Sequence, residues 1–584
     1  IRKRQVLIFT FLKICGILGL NYQKGICMFN RNLEFIGNIA LKSRLSGISL
    51  EDSKRNISYC MTPSNDYLLM KNDVPLDDIN NPRQAIREML NNNIKFPMGQ
   101  NDIIITFGIG LCYLLDEVYN TYPSKIFVYE PDIKILHFVL NNVDISEHLA
   151  SGRVFVTDNL DELMKKLAET YISKDKVEVV YLKNYAVTKS QELLELTQKV
   201  YDTCRTKMVD INTIKKFSKI WLLNTLKNIS SINSSVAYKL SDLKDKFTGQ
   251  TALILAAGPS LSENIEKIKA NRDKFVIFAV NKVLRVLEAN GIVPDFTVCL
   301  DAQYIDVTLA GLEDFCPKTN CIMDLKSDSV LFTKNFKRIF VSFSKNDTVV
   351  KKIAEHNRIF TYENGGTATA MAFVAAVKMG FSKIVFSGLD LAFKGDVIYS
   401  TGETMNKVSD SQIALSSVKK NLVKVKSFTG ELVTTREDYA AFIQHFETLI
   451  KDFGVKEVYN TTSFGAAIDG MKNVKFDELN LFFPATGTPF ILGEIKPFKL
   501  ETGEWTKEEL MLINNIITLL SKGGFSPALV SAIVKSPMMY QYMQADILKV
   551  LQAKMEPENA DEFLQKAKVA IKDVIENLQK NRLI

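Results

Sequence analysis

Five short glycine-rich or polar stretches in the second half of the chain could carry chemistry, because each is positioned to follow a short apolar run. Glycine turns that open helices present backbone N–H groups and a positive helix end to an anion such as phosphate. Carboxylates in the same place can take a proton or orient a hydroxyl group. The stretches are Gly258-Pro259-Ser260, Asn281, Asp301, Gly365-Gly366-Thr367, and Gly388 with Asp390.

Parallel strands bring their carboxyl ends to one edge of a sheet, where ligands bind. Each feature alone also has a purely structural interpretation. Gly258 could be a turn, Ser260, Asn281 and Thr367 helix caps, and Asp390 a solvated strand end. The convergence of all five on one edge favours a polar-ligand pocket. The phosphate-binding pattern G-x-x-x-x-G-K-[ST] does not occur in the sequence, which argues against P-loop chemistry.

The elements that must position these residues form an alternating series from Thr251. Apolar strand-like runs such as "TALILAAG", "FVIFAV", "FTVCLD", "RIFVSF", "RIFTY" and "KIVFSGLDL" alternate with helical segments. This alternation predicts a doubly wound α/β domain with a parallel sheet over residues 246–470. A mainly helical region follows at 471–584.

A smaller α/β domain is predicted over residues 28–187, joined to the central domain by a helical connector at 188–245. Its "FGIG" turn, Phe107 to Gly110, lies between a strand and a helix, and Glu130 ends the next strand. Glycines and an acid in this order are typical of nucleotide sites, where the acid binds a ribose. Tyr113 stands where the third glycine would be, so a tight turn without a ligand is the competing interpretation.

The composition bears on several classes of function. Five of the 73 basic residues lie within residues 1–27, and the remainder of the chain has 68 basic and 66 acidic residues. This near balance argues against a nucleic-acid partner. The eight cysteines form no C-x-x-C pair and the four histidines no H-x-x-x-H pattern. We therefore expect reduced cysteines, no zinc site and a cytoplasmic protein.

Residues 1–27 combine basic residues with the apolar run "VLIFTFLKICGILGL". Lys13 interrupts this run, which is also too short to cross a bilayer. We interpret these residues as over-extended translation before Met28, or as a disordered leader. A signal or membrane-contact segment is the alternative. No stable membrane insertion is expected.

The longer motifs resemble the motility accessory factor (Maf) family. They are "AAGPSL", "FAVNKVLRVLEANGIVPDFTVCLDAQ", "ENGGTATAMAFVAAVKMGFSKIVFSGLDLAF", "VYNTTSFGAAIDGM" and the W-x-x-N-x-x-x-N helix at Trp221. The resemblance implies a Rossmann-like central domain, similar to bacterial sialyltransferases and to 6-hydroxymethylpterin diphosphokinase MptE-like proteins. It also implies transfer of a nonulosonic acid, of pseudaminic or legionaminic type, from a CMP-activated donor to flagellin Ser/Thr, in support of flagellar assembly and motility.

The resemblance to sialyltransferases further implies that Gly258, Pro259, Ser260, Asn281 and Thr367 contact the CMP portion of the donor. Gly365, Gly366 and Gly388 complete the predicted donor-binding set. This chain has Ala368-Thr369 where those enzymes carry Ser-Gly. Neither His356 nor His445 lies in a motif that matches their catalytic histidine.

Asp301 and Asp390 are therefore the predicted catalytic carboxylates. No D-x-D pair is evident, so no essential metal cofactor is expected. Two alternatives stay open. One is a Mg-ATP-dependent 6-hydroxymethyldihydropterin pyrophosphokinase-like enzyme, in which the two aspartates would contact Mg²⁺. The other is a non-catalytic flagellin-binding assembly factor. Flagellin is the expected protein partner, and a homo-oligomer is compatible with the sequence.

Overall fold

The computed structural model describes residues 22–172, 175–363, 365–393, 422–481, 492–552 and 557–584. Residues 1–21, most of the segment interpreted above as over-extended translation or a disordered leader, lie outside the described residues. Contacts within the chain divide it into two compact units, Ile1–Met208 and Val209–Ile584. No helix among the described residues is long and apolar enough to cross a membrane.

The first unit is built on a parallel sheet with the strand order β6-β5-β4-β7, beside a small antiparallel sheet β1-β2-β3. Its strands are β1 Ile57–Met61, β2 Tyr67–Lys71, β3 Val74–Pro75, β4 Ile103–Phe107, β5 Lys125–Tyr129, β6 Val154–Thr157 and β7 Val177–Tyr181. Its helices are α1 Tyr22–Phe35, α2 Ile39–Ser46, α3 Leu50–Lys54, α4 Pro82–Asn93, α5 Tyr113–Thr121, α6 Ile133–Asn142, α7 Ser146–Ala150, α8 Leu160–Thr170 and α9 Tyr185–Thr188.

Helix α10, Ser190–Ser234, runs from the first unit into the second. The second unit is built on a sheet with the order β18-β17-β14-β9-β10-β11-β12-β13-β8 in the described residues. Its strands are β8 Tyr238–Lys239, β9 Thr251–Leu255, β10 Val276–Val280, β11 Phe296–Cys299, β12 Asn320–Asp324, β13 Ile339–Ser342, β14 Lys383–Ser387, β17 Glu457–Asn460 and β18 Lys472–Asn473. A separate hairpin pairs β15 Leu422–Lys426 with β16 Leu432–Arg436.

The helices of the second unit cover both faces of this sheet and extend to the carboxyl end of the chain. They are α11 Ser260–Ala270, α12 Leu284–Ala289, α13 Ile305–Thr308, α14 Thr348–His356, α15 Ala368–Lys378, α16 Glu437–Phe453, α17 Gly503–Ser521, α18 Pro527–Lys535, α19 Pro537–Gln552 and α20 Pro557–Lys580. Short 3-10 helices occur as well, one of them at Asn281–Val283.

Alternate residues of strands β9 to β14 pack into different cores, as expected for a sheet buried on both faces. In β9, Leu253 and Leu255 join the core that contains α11 and the carboxyl-terminal helices. Ala252 and Ile254 join the core that contains α15 and α16. The fully buried strands explain why their sequences are continuous apolar runs. The predicted α/β fold class, with a smaller α/β unit before the large sheet and helices after it, is confirmed.

Two local predictions differ from the structure. The predicted strand "RIFTY" contributes only an isolated bridge between Ser344 and Tyr362, because Arg358 stands in a turn with a left-handed φ of 54°. The helix predicted through the connector ends at Ser234, and Tyr238–Lys239 then adds a parallel edge strand beside β13.

Candidate active site

The candidate site lies at the carboxyl edge of the second unit's sheet. The chain starts this series at β9, proceeds through β10 to β13, and then crosses back to place β14 on the other side of β9. Such a reversal of direction opens a crevice at the carboxyl ends of the two central strands, where α/β proteins bind ligands. The loops after β9 and β14 contain Gly258 and Gly388, two of the predicted donor-binding residues.

These two glycines allow the loops to touch backbone to backbone. The amide of Gly258 donates to the carbonyl oxygen of Gly388 over 2.8 Å. A Cβ atom on Gly388, which has a φ of +80°, would lie 2.2 Å from the carbonyl oxygen of Ala256. A Cβ atom on Gly258 would lie 2.4 Å from Oδ2 of Asp390. Both positions therefore require glycine for packing, whatever ligand lies nearby.

Asp390 occupies the amino-terminal end of α11 from inside the protein. Its side chain is 2% exposed. Oδ2 accepts from the Ser260 amide at 2.9 Å, and Oδ1 accepts from the Ser260 hydroxyl. Burial raises the pKa of Asp390, against the hydrogen bonds from Ser260 and Thr462, which lower it.

The loop Gly258-Pro259-Ser260 thus uses the amides of Gly258 and Ser260 internally. Pro259 has no amide hydrogen to offer an anion. This arrangement makes Asp390 a residue that fixes the loop, and a phosphate near the loop would also face its carboxyl group. The donor-binding roles of Gly258, Pro259 and Ser260, and the catalytic role of Asp390, stay predictions.

The loop Gly365-Gly366-Thr367 is open at Gly366, whereas a Cβ atom on Gly365 would lie 2.5 Å from Cβ of Ala370. Gly365 and Gly366 have φ angles of 69° and 73°, and a Cβ atom on Gly366 would meet nothing within 4 Å. The Thr367 hydroxyl caps α15 by accepting from the Ala370 amide at 3.1 Å. The first amides of a helix have no acceptor inside it, and the amides of Ala368 and Thr369 are the first two of α15. This helix packs over β9, β10 and β11, with its amino end at the carboxyl edge of the sheet.

Asn281 and Asp301 follow β10 and β11 at the same edge. Asn281 is 2% exposed, begins a 3-10 helix, and donates from Nδ2 to the Thr308 hydroxyl at 3.2 Å. Asp301 has an exposed side chain, and its carbonyl oxygen accepts from the Asp328 amide at 3.0 Å. Of the two predicted catalytic carboxylates, Asp301 is the one that faces solvent.

Two asparagines of the W-x-x-N-x-x-x-N helix donate hydrogen bonds to the loops after β11 and β12. Nδ2 of Asn224 donates to the carbonyl oxygen of Ala302 at 2.8 Å, in the loop after β11. Nδ2 of Asn228 donates to the carbonyl oxygens of Leu325 and Ser327, both at 2.8 Å, in the loop after β12. The motif therefore positions backbone of the site, which the helix-face spacing alone could not indicate.

The end of β17 and the loop after it contribute polar side chains that the sequence analysis did not assign. Asn460 donates from Nδ2 to the carbonyl oxygen of Leu389 at 2.8 Å. Asn264 of α11 donates to Ser387 and to Thr461, at 3.2 Å each. Thr462 supports Asp390. The signal for this network was the run "NTTS" directly after an apolar strand, the same pattern that identified the other loops.

Neither central histidine stands in an evident catalytic pair. His356 is the last residue of α14, and its Nε2 lies 3.6 Å from Oε2 of Glu504. Nε2 of His445 is buried without a hydrogen-bond partner among the described residues, and burial lowers the pKa of His445. Within the described ranges, no group of three His, Cys, Asp or Glu side chains is arranged to hold a metal ion.

A solved structure has a similar fold along nearly all of this chain. The Maf glycosyltransferase from Magnetospirillum magneticum AMB-1 superposes with a TM-score of 0.60 at 15% identity, covering 96% of this chain and 97% of that one. The chain has the fold of a Maf glycosyltransferase. Residues 223–396 match the family described as 6-hydroxymethylpterin diphosphokinase MptE-like.

A curated relative is similar in sequence to part of the chain. An uncharacterized protein of Treponema pallidum (strain Nichols) is 35% identical over 123 residues, which are 21% of this chain and 55% of that protein. The chain thus spans about half the length of this relative. The MptE-like range of the Maf fold contains Asn224, Asn228 and all the predicted site residues from Gly258 to Asp390, whereas the loop after β17 lies outside it.

The other candidate nucleotide turn, Phe107 to Gly110, lies in the first unit. Side chains of the first unit fill the space beside this turn. A Cβ atom on Gly108 would lie 2.8 Å from both Leu182 and the ring of Tyr185. Glu130 is fully buried and accepts from the Ile109 amide at 3.0 Å and from the Tyr185 hydroxyl at 3.0 Å. An acid held in this way is not presented to a ribose, so the geometry favours the tight turn without a ligand.

We expect Glu130 to make the first unit less stable as the pH rises. Burial raises the pKa of Glu130 from about 4.5 to about 7. Because the folded state holds the proton more tightly than the unfolded state, stability is complete below pH 4.5 and declines up to about pH 7, by on the order of 3 kcal/mol. Hydrogen exchange of the β4 amides should report this loss as a falling opening free energy.

The variant Glu130→Gln is the matched control, since glutamine is neutral across the same range. Its opening free energy at β4 should fall less over this range than that of the wild-type protein, and burial, which raises the pKa of Asp77 to about 6, accounts for part of the fall that remains. An equal decline in the variant and the wild-type protein would show that Glu130 is not the titrating group.

Proposed function

We propose that this protein is a glycosyltransferase that transfers a nonulosonic acid from a CMP-activated donor to Ser or Thr of flagellin. The observation that carries the proposal is the correspondence in fold with a Maf glycosyltransferase along nearly the whole chain, flanking regions included. A small-molecule kinase has no evident need for these flanks, whereas a protein acceptor requires an additional surface for recognition. The proposed site of action is the cytoplasm.

The open loop before α15 suits the leaving group of this reaction. In the transfer, the bond between the anomeric carbon and the phosphate oxygen breaks, and CMP leaves with the electron pair. The Gly366 backbone leaves space for close approach, and the amides at the start of α15 stabilise phosphate charge without a metal. Asn281, after the neighbouring strand β10, offers an amide to the nucleotide.

The acceptor hydroxyl forms the new bond to the anomeric carbon and must lose its proton. Asp301 is the carboxylate best placed to receive that proton, because it is exposed at the same edge. Asp390, with its oxygens held by Ser260, keeps the adjacent loops in place. In this proposal Asp301 is the general base and Asp390 is a positioning residue.

The family match of residues 223–396 favours a second candidate, a Mg-ATP-dependent pyrophosphokinase. That chemistry needs carboxylates that converge on Mg²⁺. The burial of Asp390 and its hydrogen bonds to Ser260 weigh against it. Calorimetry of the full chain with CMP and with ATP, each with and without Mg²⁺, separates the two. Metal-independent CMP binding supports glycosyl transfer, and selective binding of Mg-ATP would replace it with the kinase.

Substitutions at the open loop and at β10 test the location of the site. We expect Thr367→Ala and Asn281→Ala each to weaken CMP binding about tenfold, since each removes a hydrogen bond that orders the pocket or holds the ligand. Thr367→Ser is the matched control, because it keeps the hydroxyl that caps α15, and it should bind CMP like the wild type. Unchanged CMP affinity in both alanine variants would mean that the pocket is elsewhere.

A further inference from the structure

Tyr304 stands out in the loop after β11 because its backbone is left-handed. Its φ is 65°, a region that favours glycine, asparagine and aspartate and that bulky side chains seldom adopt. Tyr304 is nevertheless 71% exposed. A tyrosine here therefore gains little from packing within the protein, while glycine would adopt the same backbone without strain.

The surrounding structure fixes this backbone from both sides. Before Tyr304, the carbonyl oxygen of Ala302 is held by Asn224 at 2.8 Å. After it, Ile305 is fully buried, and the Tyr304 carbonyl oxygen accepts from the Thr308 amide at 3.1 Å. Strained residues persist only where such anchors determine them, and they concentrate where ligands bind. The ring of Tyr304 is thus carried on a rigid loop.

This loop is coupled directly to the predicted nucleotide residues. Thr308, one turn after Tyr304, has a hydroxyl that accepts from Nδ2 of Asn281 at 3.2 Å. Asp301 lies three residues before Tyr304 on the same loop. The loop therefore joins an exposed aromatic ring to the residues that are proposed to bind the nucleotide and to activate the acceptor.

We propose that Tyr304 binds the activated donor directly, by stacking its ring on the pyrimidine base. The inference rests on the proposed function, since it assumes a nucleotide donor at this edge. An aromatic ring on a rigid support binds a planar base at low entropic cost, and stacking of this kind changes affinity about tenfold or more. The protein acceptor is a different occupant for the same ring, and the experiment below distinguishes it.

The test uses the full chain, calorimetry with CMP, ribose 5-phosphate and flagellin, and thermal unfolding. Tyr304→Gly removes the ring and relieves the backbone, so we expect a higher Tm together with CMP binding about tenfold weaker. Ribose 5-phosphate affinity should stay unchanged, because this ligand has no base. Tyr304→Phe should bind CMP like the wild type. A residue with only a structural role would move Tm and affinity in the same direction.

Val307→Ala is the surface control, since Val307 is 62% exposed in the short helix α13 that follows Tyr304, and it should not alter CMP binding. Unchanged CMP affinity in Tyr304→Gly would overturn the inference alone, as would a loss confined to flagellin binding. Absence of CMP binding in the wild-type protein would overturn the proposed function as well.

Discussion

Replacing Gly388 with alanine is expected to destabilise the second unit by about 3 kcal/mol or more, the largest effect of any single methyl group in the site. The added Cβ would lie 2.2 Å from the carbonyl oxygen of Ala256 and 3.0 Å from Cβ of Leu261. Backbone atoms cannot move aside as the end of a flexible side chain can. Since the φ of Gly388 is +80°, alanine also strains its own backbone.

Gly454→Ala provides the matched control for this prediction. Gly454 ends α16 with a φ of 63°, but a Cβ atom there would meet nothing within 4 Å. Its substitution should cost only the backbone term, about 1 kcal/mol. Chemical denaturation of both variants isolates the contribution of the close contact. Equal losses would mean that the loops after β9 and β14 do not touch as described.

The second large effect is expected for Asp390→Ala, at about 3 kcal/mol, because it leaves the buried amide and hydroxyl of Ser260 without an acceptor. Asp390→Asn should cost clearly less, since its carbonyl oxygen still accepts from Ser260 and burial already favours a neutral side chain. The raised pKa of Asp390 adds a pH dependence: stability is complete below the ordinary carboxyl range and declines as the pH rises through the raised pKa. Asp390→Asn should abolish that decline.

The same pair of variants decides the role of Asp390 in catalysis. A positioning residue predicts that Asp390→Asn retains folding and most transfer activity. Loss of turnover by a factor of about a hundred or more in a fully folded Asp390→Asn protein would instead restore the sequence-based prediction that Asp390 is catalytic. Asp301→Asn is the parallel variant, and here the proposed role as base predicts that loss of turnover.

The sequence allowed the edge of the sheet to be predicted, because periodic apolar runs reveal strands and their polar ends reveal the loops. It could not reveal which of these loops already has its backbone groups or its space taken by side chains of the protein itself. Asp390 reaches Ser260 across 130 residues of chain. Tyr185 fills the turn at Gly108 from a different strand end. Such contacts depend on the tertiary structure, and the local sequence pattern does not indicate them.

The same limit applies to the residues that the sequence analysis left unassigned. Thr462 and Asn264 became part of the site only once β17 was placed beside β14. The "RIFTY" segment shows the converse, since its apolar, β-branched composition predicts a strand that the left-handed turn at Arg358 does not allow. Propensity describes what a segment can form alone, and the tertiary structure selects among those options.

Intact-mass spectrometry of flagellin incubated with this protein and a CMP-nonulosonate tests the proposed transfer most directly. We expect a mass increase of one nonulosonic acid residue per modified Ser or Thr, release of free CMP, and loss of both in the Asn281→Ala Thr367→Ala double variant. Flagellin of unchanged mass in the presence of a folded, CMP-binding protein would show that the protein does not carry out this transfer.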